Sequence, residues 1–224
     1  MKKNKVILCS HCLFKNLLEV FMETKEQKVQ IMVADPSALG LFGLAMVTLV
    51  ASSQKLAWTT GVSLVIPWAI FLGAAAQLMA CVYDFKHNNI FGATVFGGYG
   101  LFWIGVVVSW FIKLGVFGST LAETADIKQL GFAFIGYFIF SVFGTIAAVE
   151  TNKVLLAIMV LVDVLMAGLA LDTFGLGGHW AHTVAAWAEI AVSLLSFYAS
   201  GATFLNKSFG RVFLPVGKPC GIFK

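Results

Sequence analysis

The sequence has few charged residues, and this scarcity excludes most classes of soluble protein. Of its 224 residues, 12% are charged and 59% are hydrophobic, and the mean hydropathy is +0.90. Soluble domains carry about 25% charged residues. A chain with about half that fraction is typical of a protein surrounded by lipid. The composition therefore predicts an integral membrane protein that forms one domain.

Cysteine is scarce as well, and the four cysteines do not indicate a disulfide framework. Cys9, Cys12 and Cys220 fall on segments that we assign to the cytoplasm, and Cys81 falls inside an apolar stretch. Structural disulfides are rare in the reducing cytoplasm. The motif "CSHC", from Cys9 to Cys12, has the spacing of half a zinc site. No second half lies within reach, so we interpret the spacing as coincidence.

Motifs of catalysis and nucleotide binding are missing too. We find no Gly-rich phosphate loop, no nucleophile elbow and no kinase pattern in the sequence. We therefore expect neither an enzyme nor a bound cofactor. The net charge of +4 does not require a nucleic-acid partner, because the distribution of basic residues across the membrane accounts for it.

What the sequence has in abundance is long apolar stretches, and six of them approach the length of a membrane span. A transmembrane helix needs about 20 residues to cross a hydrocarbon core about 30 Å thick. The first stretch reaches that length if its helix begins at Asp35 or Pro36. We expect an all-α membrane protein with six transmembrane helices arranged as three helical hairpins. The predicted spans are residues 39–52, 60–83, 91–112, 130–149, 154–171 and 181–205.

The basic residues predict the orientation of these spans. If both termini are cytoplasmic, 12 of the 15 Lys and Arg residues lie inside, and Lys55, Lys113 and Lys128 lie outside, as the positive-inside rule requires. We expect a disordered cytoplasmic tail over residues 1–34, a transmembrane domain over residues 35–205 and a cytoplasmic tail over residues 206–224. Met32 stands just before the first span, and we regard it as a candidate for the natural start of translation, with residues 1–31 upstream of it.

The stretch "DPSALGLFGL" begins the first span with helix-starting residues. Asp35 can cap the helix, because its carboxylate can accept hydrogen bonds from the first turn, and Pro36 suits the first helical position. Gly40 and Gly43 then leave bare backbone on neighbouring faces of the helix. Bare backbone permits the close approach of another helix or of a solute. Helix packing and a transport path therefore both remain open for this segment.

Similar polar caps, Asn89 and Asn152, precede the third and fifth spans. Counting nine or ten residues inward from the three caps reaches Leu44, Tyr99 and Val162. At about 1.5 Å per residue these side chains lie roughly 15 Å deep, near the middle of the membrane. Three bulky side chains at one depth predict a constriction in a pore.

Three blocks of sequence, in order between Asp35 and Gly217, resemble the acetate uptake transporter family. The first is "DPSALGLFGL", compared with the family signature N-P-[AV]-P-[LF]-G-L-x-[GSA]-F. The others are "YDFKHNNIFGATVFGGYGLFW" around the third span and "FLNKSFGRVFLPVGK" after the sixth. The first block agrees at Pro36, Leu39, Gly40, Leu41 and Gly43, and departs at Asp35, Ser37, Ala38 and Leu44.

This resemblance implies a six-helix protomer with three helical hairpins around a central pore in each protomer, assembled as a homo-hexamer in the cell membrane and surrounded by lipid. It implies transport of acetate and related small carboxylates, such as succinate, lactate or propionate, by a proton-coupled permease or an anion channel. In the family the constriction is formed by residues that correspond to Leu44, Tyr99 and Val162. Leu44 replaces a phenylalanine, which predicts a wider constriction. A channel for small neutral solutes such as urea or amides is the alternative.

The pore entrance is expected to carry the substrate contacts. The resemblance has an asparagine where this chain has Asp35, and a carboxylate there would repel a carboxylate substrate. Gln77, within the second span, either hydrogen-bonds across helices or contacts the pore. The candidate entrance and binding residues are Asp35, Pro36, Gly40, Gln77 and Asn89.

Two acidic residues within the spans are candidates for proton coupling. Asp163 lies at the centre of the fifth span, where a carboxylate costs roughly 2.5–3.5 kcal/mol to insert. It either couples a proton or makes a structural hydrogen bond. Glu189, near Trp187 in the sixth span, either joins a proton relay or forms a pair at the interface.

The string "HWAHTVAAWAE" offers a metal site as an alternative, through His179, His182 and Glu189 with Asp172 nearby. The two histidines are three residues apart, Glu189 follows His182 by seven, and no H-E-x-x-H pattern is present. Histidines and tryptophans at a membrane interface explain the string more simply. We therefore expect no metal.

Overall fold

The structure is a computed structural model that describes residues 33–223, and the regular elements within this range are all helices. Six of them are long and apolar enough to cross a membrane, which confirms the predicted six-span, all-α class. The predictions for Cys9, Cys12 and residues 1–32 of the N-terminal tail lie outside the described residues. The spans are Ser37–Lys55, Val65–Lys86, Ile90–Lys113, Ile127–Ala148, Lys153–Thr173 and Gly178–Phe209.

The asparagine caps account for where the third and fifth spans begin. The Asn89 side chain accepts a hydrogen bond from the backbone N–H of Gly92 at 3.3 Å, and Asn152 accepts one from Leu155 at 3.0 Å. Each bond satisfies a backbone donor that the helix itself leaves free. A short helix, Ser119–Thr124, lies between the third and fourth spans.

The start of the first span differs by one residue from the prediction. The helix begins at Ser37, and Pro36 is its cap. The Asp35 carboxylate accepts from the backbone N–H of Ser37, two residues on, at 3.0 Å. Because this bond is so local, Asp35 forms a turn before the helix, and the Pro36 carbonyl accepts from the first turn instead.

The six spans form a ring in which each packs against its neighbours along the chain, and the first packs against the sixth. Hydroxyl groups of the sixth span stabilise its contact with the first span. Ser193 donates to the carbonyl of Ala45 at 2.8 Å, and Ser200 donates to the carbonyl of Ala38 at 2.7 Å. Small side chains and hydroxyl bonds are the usual means of helix association in lipid.

The second span contains a π-helical segment, Ala69–Ala76, between two α-helical parts. The carbonyl of Leu72, within this segment, lies so close to Gly43 that a Cβ on Gly43 would overlap it. Gly43 therefore serves helix packing, one of the two roles that the sequence left open. π-Helical bulges occur often near functional sites.

After the sixth span the chain folds back over its own helices. The span ends at Phe209, four residues beyond the predicted limit of 205, and Gly210 follows in the left-handed conformation that commonly ends helices. The backbone N–H of Cys220 then donates to the carbonyl of Val149 at 2.9 Å. The Glu150 carboxylate accepts from the N–H groups of Ile222 and Phe223. The C-terminal segment is thus bonded to the end of the fourth span.

The contact between Gly43 and Leu72 generates a stability prediction. Gly43→Ala should destabilise the protein by about 1–3 kcal/mol, the usual cost of overpacking, because the added Cβ meets backbone that cannot rotate away. Thermal unfolding of the detergent-solubilised protein measures the change. Gly201→Ala is the matched control, since a Cβ there meets only Leu214, at an ordinary 3.9 Å. Equal unfolding temperatures for the two variants would contradict the close approach of the first two spans.

Candidate functional site

Residues of the described range enclose two cavities inside the ring of helices. The larger, about 320 Å³, extends to the side on which the first, third and fifth spans begin, close to Asp35, Asn89 and Asn152, and we call it the cap-side cavity. The smaller, about 120 Å³, extends toward the opposite ends of the spans, and we call it the far cavity. Together they outline a discontinuous path through the bundle.

Three residues line both cavities, and they are Leu44, Tyr99 and Val162. The structure thus brings together the three side chains that helix depth had selected. They are 9%, 3% and 3% exposed, respectively. The Tyr99 ring packs on Phe140 and Tyr137 of the fourth span, with ring centroids 5.7 and 6.2 Å apart. The fourth span therefore fixes the position of Tyr99, one of the three side chains of the predicted constriction.

The predicted entrance residues divide into two groups. Asp35, Gln77 and Asn89 line the cap-side cavity, whereas Pro36 and Gly40 do not. Gly40 is covered by the Phe96 ring, which an added Cβ would approach to 2.6 Å. Gly40 therefore acts through packing, because it lets an aromatic ring that itself lines the cavity lie against the first span.

The electrostatic character of the cap-side cavity is set by dipoles and one acid. The N-termini of the third and fifth spans reach its lining at Asn89 and Asn152, and helix N-termini attract anions. The Asp35 carboxylate repels anions, and no Lys or Arg within the described range lines this cavity. Further hydroxyl and amide groups come from Ser37, Thr151, Thr203 and Asn206.

Among the described residues, Gln77 does not make a hydrogen bond to another helix, one of the two roles that the sequence left open. Its amide N–H donates to the carbonyl of Gly73, one turn earlier in the same span, at 2.8 Å. Its amide oxygen is buried and has no hydrogen-bond partner within residues 33–223. Gln77 also lines the cap-side cavity, so its role as a pore contact stays a prediction.

Asp163 lies at the predicted depth but faces away from both cavities. A helix turns by about 100° per residue, so the residue after Val162 points toward the fourth span. There Thr145 donates a hydrogen bond to the Asp163 carboxylate at 2.7 Å. Ser141, one turn earlier on the fourth span, is buried. A polar cluster therefore lies behind the constriction.

Glu189 lines the far cavity and has a partner that the sequence did not indicate. It is 2% exposed, and its carboxylate lies 2.9 Å from the ammonium group of Lys55, which also lines that cavity. In the sequence, the only sign of such a partner is the lysine at the end of the first span. The pairing could not be inferred from it, because 134 residues separate Lys55 and Glu189.

The histidine string forms a bridge between spans. One ring nitrogen of His182 lies 3.0 Å from the Asp172 carboxylate, and the other lies 3.0 Å from the carbonyl of Lys55. His179 is exposed. Within the part of the chain that the structure describes, no three His, Cys, Asp or Glu side chains are placed to share a metal.

These features define a class: a multi-pass integral membrane protein in which two internal cavities, lined by the described residues, meet at Leu44, Tyr99 and Val162. The chain belongs to the GPR1/FUN34/yaaH family, whose model matches residues 20–218. The resemblance to acetate uptake transporters is thereby confirmed.

Named relatives agree with this assignment. The succinate-acetate/proton symporter SatP of Escherichia coli is 29% identical over 83% of this chain and 96% of its own. The ammonia transport outward protein 2 of Saccharomyces cerevisiae is 26% identical over 63% of this chain and 51% of its own. The solved structure of the bacterial acetate channel SatP has a TM-score of 0.77 and 27% identity, over 83% of this chain and all of the other.

The ion pair generates the second prediction. Lys55→Met should destabilise the protein by about 3 kcal/mol, because it leaves a buried carboxylate without a partner. Lys55→Met combined with Glu189→Gln should recover most of that loss, since the second change removes the unpaired charge. Thermal unfolding in detergent measures both variants. If Lys55→Met alone unfolds at the wild-type temperature, the Lys55–Glu189 pair is not desolvated.

Proposed function

We propose that this protein moves acetate and related small carboxylates across the membrane through the two cavities. One observation carries the proposal: both cavities end at the same three side chains, Leu44, Tyr99 and Val162. A path that is wide on both sides and closed by apolar groups at one level suits a small solute with a short apolar tail. The relatives named as an acetate channel and as a succinate-acetate/proton symporter support the choice of substrate.

The cap-side cavity supplies groups for each part of such a substrate. The third and fifth helix N-termini favour a carboxylate, and the free amide oxygen of Gln77 can accept the O–H of an undissociated acid. Asp35 opposes the entry of an anion, so the path favours the acid form on this side.

At the constriction the solute loses its water. Leu44, Tyr99 and Val162 present mainly carbon, and an apolar constriction excludes hydrated ions. The methyl group of acetate passes the constriction without a desolvation penalty. In a larger acid, each polar group beyond the carboxylate must be desolvated there without a hydrogen-bond partner. Size and polarity together thus select short monocarboxylates over larger acids.

The finer assignments belong to the same proposal. We propose transport rather than catalysis, because the cavities present no nucleophile held by a base among the described residues. We also propose the homo-hexamer that the family resemblance implies. Large apolar side chains on the outer faces of the third and fourth spans are available to lipid or to a neighbouring protomer, and they include Leu101, Ile104, Phe132, Ile139 and Phe143.

A channel for small neutral solutes is the second candidate, and the cap-side cavity gives it specific support. Its lining, as far as the structure describes the chain, has no Lys or Arg and one carboxylate, Asp35. The relative named for ammonia transport is consistent with this alternative.

Flux measurements separate the two candidates. Proteoliposomes containing the full chain should take up radiolabelled acetate faster than protein-free liposomes do, and should show no such increase for urea. The comparison with protein-free liposomes is needed because undissociated acetic acid crosses lipid unaided. Faster uptake of urea than of acetate would favour the neutral-solute channel.

The constriction generates a prediction about selectivity. Leu44→Phe should narrow the passage and lower propionate and lactate uptake several-fold more than acetate uptake, whereas Tyr99→Ala should widen it and shift competition toward the larger acids. Competition against radiolabelled acetate measures both changes. Leu194→Phe, the same substitution on a side chain of the sixth span that is 61% exposed and lines neither cavity, is the matched control. An unchanged competition profile in both constriction variants would remove these residues from the path.

A further inference from the structure

A single basic side chain lines the described path. Among residues 33–223, neither cavity is lined by any Lys or Arg except Lys55, which lines the far cavity. A small carboxylate that has passed the constriction enters a space of about 120 Å³, which is room for several waters or for one small acid. Lys55 is the cation that it meets there.

Lys55 already binds a carboxylate, that of Glu189, at 2.9 Å. The Glu189 side chain is 3% exposed and that of Lys55 is 17% exposed, so the pair is held out of bulk water. Lysine has three N–H donors and can exchange one carboxylate partner for another. The group that Glu189 offers to Lys55 is chemically the same as the group that acetate carries.

The other charged groups nearby do not compete for the ammonium group. His182, in the sixth span, contacts the backbone carbonyl of Lys55 and the carboxylate of Asp172 in the fifth span. Neither group hydrogen-bonds to the Lys55 ammonium group. The remaining lining of the far cavity is aromatic, aliphatic or neutral polar; Thr48, Gln54, Trp103 and Trp110 are examples. Lys55 and Glu189 therefore set the charge of the cavity.

Charge balance in this cavity links the substrate to a proton. A second carboxylate beside an ionised Glu189 would leave two negative charges against one positive charge in a poorly solvated space, which is costly. If Glu189 takes up a proton, Lys55 is left with one unpaired positive charge, and one carboxylate restores neutrality. The proton comes from water or from the undissociated acid, and it ends on the Glu189 oxygen that Lys55 releases.

We propose that Lys55 and Glu189 form a carboxylate-binding site in the far cavity, in which the substrate carboxylate replaces Glu189 as the partner of Lys55 while Glu189 takes up one proton. This inference rests on the proposed function, since it needs a small carboxylate to reach the far cavity. It adds a site, its ligand chemistry and a ratio of one proton to one carboxylate.

Binding and proton uptake can be measured directly on the detergent-solubilised full chain. Sodium acetate is titrated in weak buffer near neutral pH; tryptophan fluorescence reports binding, since Trp103 and Trp110 line the cavity, and a pH indicator reports protons. The wild type should take up about one proton per acetate bound, as charge neutrality requires, and should bind more tightly at acidic pH. Binding without proton uptake would overturn the proposal, and this test needs no variant.

Variants then assign the two roles. Glu189→Gln should bind acetate at least tenfold more tightly at neutral pH, with no proton uptake and little dependence on pH, because Lys55 is permanently without its acidic partner. Lys55→Met combined with Glu189→Gln should lose this binding, and Lys55→Arg should keep it. If Glu189→Gln fails to fold, the double variant, in which neither charge is left alone, still tests the site.

Two control variants test whether binding and proton uptake belong to Lys55 and Glu189. Lys113→Met removes an exposed lysine that lines neither cavity, and it should bind acetate as the wild type does. Asp163→Asn neutralises the other candidate for proton coupling, which faces Thr145, and it should keep the proton uptake. Loss of proton uptake in Asp163→Asn, with retention in Glu189→Gln, would move the coupling to Asp163 and overturn the proposal.

Flux distinguishes failure of this inference from failure of the proposed function. Absence of protein-dependent acetate uptake in wild-type proteoliposomes would remove the proposed function. Acetate uptake that persists unchanged in the double variant, at every pH tested, would leave the proposed function in place and overturn the Lys55 site.

Discussion

Close packing of the first span between the second and the sixth is the constraint on which the rest of the structure depends. Gly43 lets the Leu72 carbonyl approach on one side, and the hydroxyl bonds of Ser193 and Ser200 to backbone carbonyls hold the other. This placement directs Leu44 into the interior and brings Lys55, at the end of the same helix, to Glu189. One helix thus contributes both to the constriction and to the charged site beyond it.

The two cavities differ in how they treat charge. The cap-side cavity relies on helix N-termini and neutral polar groups, with Asp35 as its one ionisable lining residue in the described chain apart from the Tyr99 phenol at the constriction. The far cavity contains a buried ion pair. A carboxylate that crosses the apolar constriction therefore leaves a region of weak dipoles and reaches a lysine that is paired with Glu189. In the exchange that we propose, protonation of Glu189 frees the positive charge of Lys55, and its attraction then offsets part of the cost of desolvating the carboxylate.

Much of this arrangement was predictable from local sequence. The six spans follow from apolar length, and the starts of the third and fifth follow from the Asn89 and Asn152 caps, whose hydrogen bonds reach three residues along the chain. The first span was placed one residue too early, because the Asp35 carboxylate can bond to Ser37 before the helix begins. Caps are local, so the sequence around them contains nearly all of the relevant information.

The sequence by itself determined depth, because a helix rises by about 1.5 Å per residue from a recognisable cap; Leu44, Tyr99 and Val162 were found at one level for this reason. Only the tertiary structure decided direction and partners. Asp163 shares that level yet points to Thr145, Gln77 bonds within its own span, and Lys55 meets Glu189 across 134 residues. Rotation of each helix about its axis is set by packing against its neighbours, and in a span that is apolar on every face no sequence pattern specifies it.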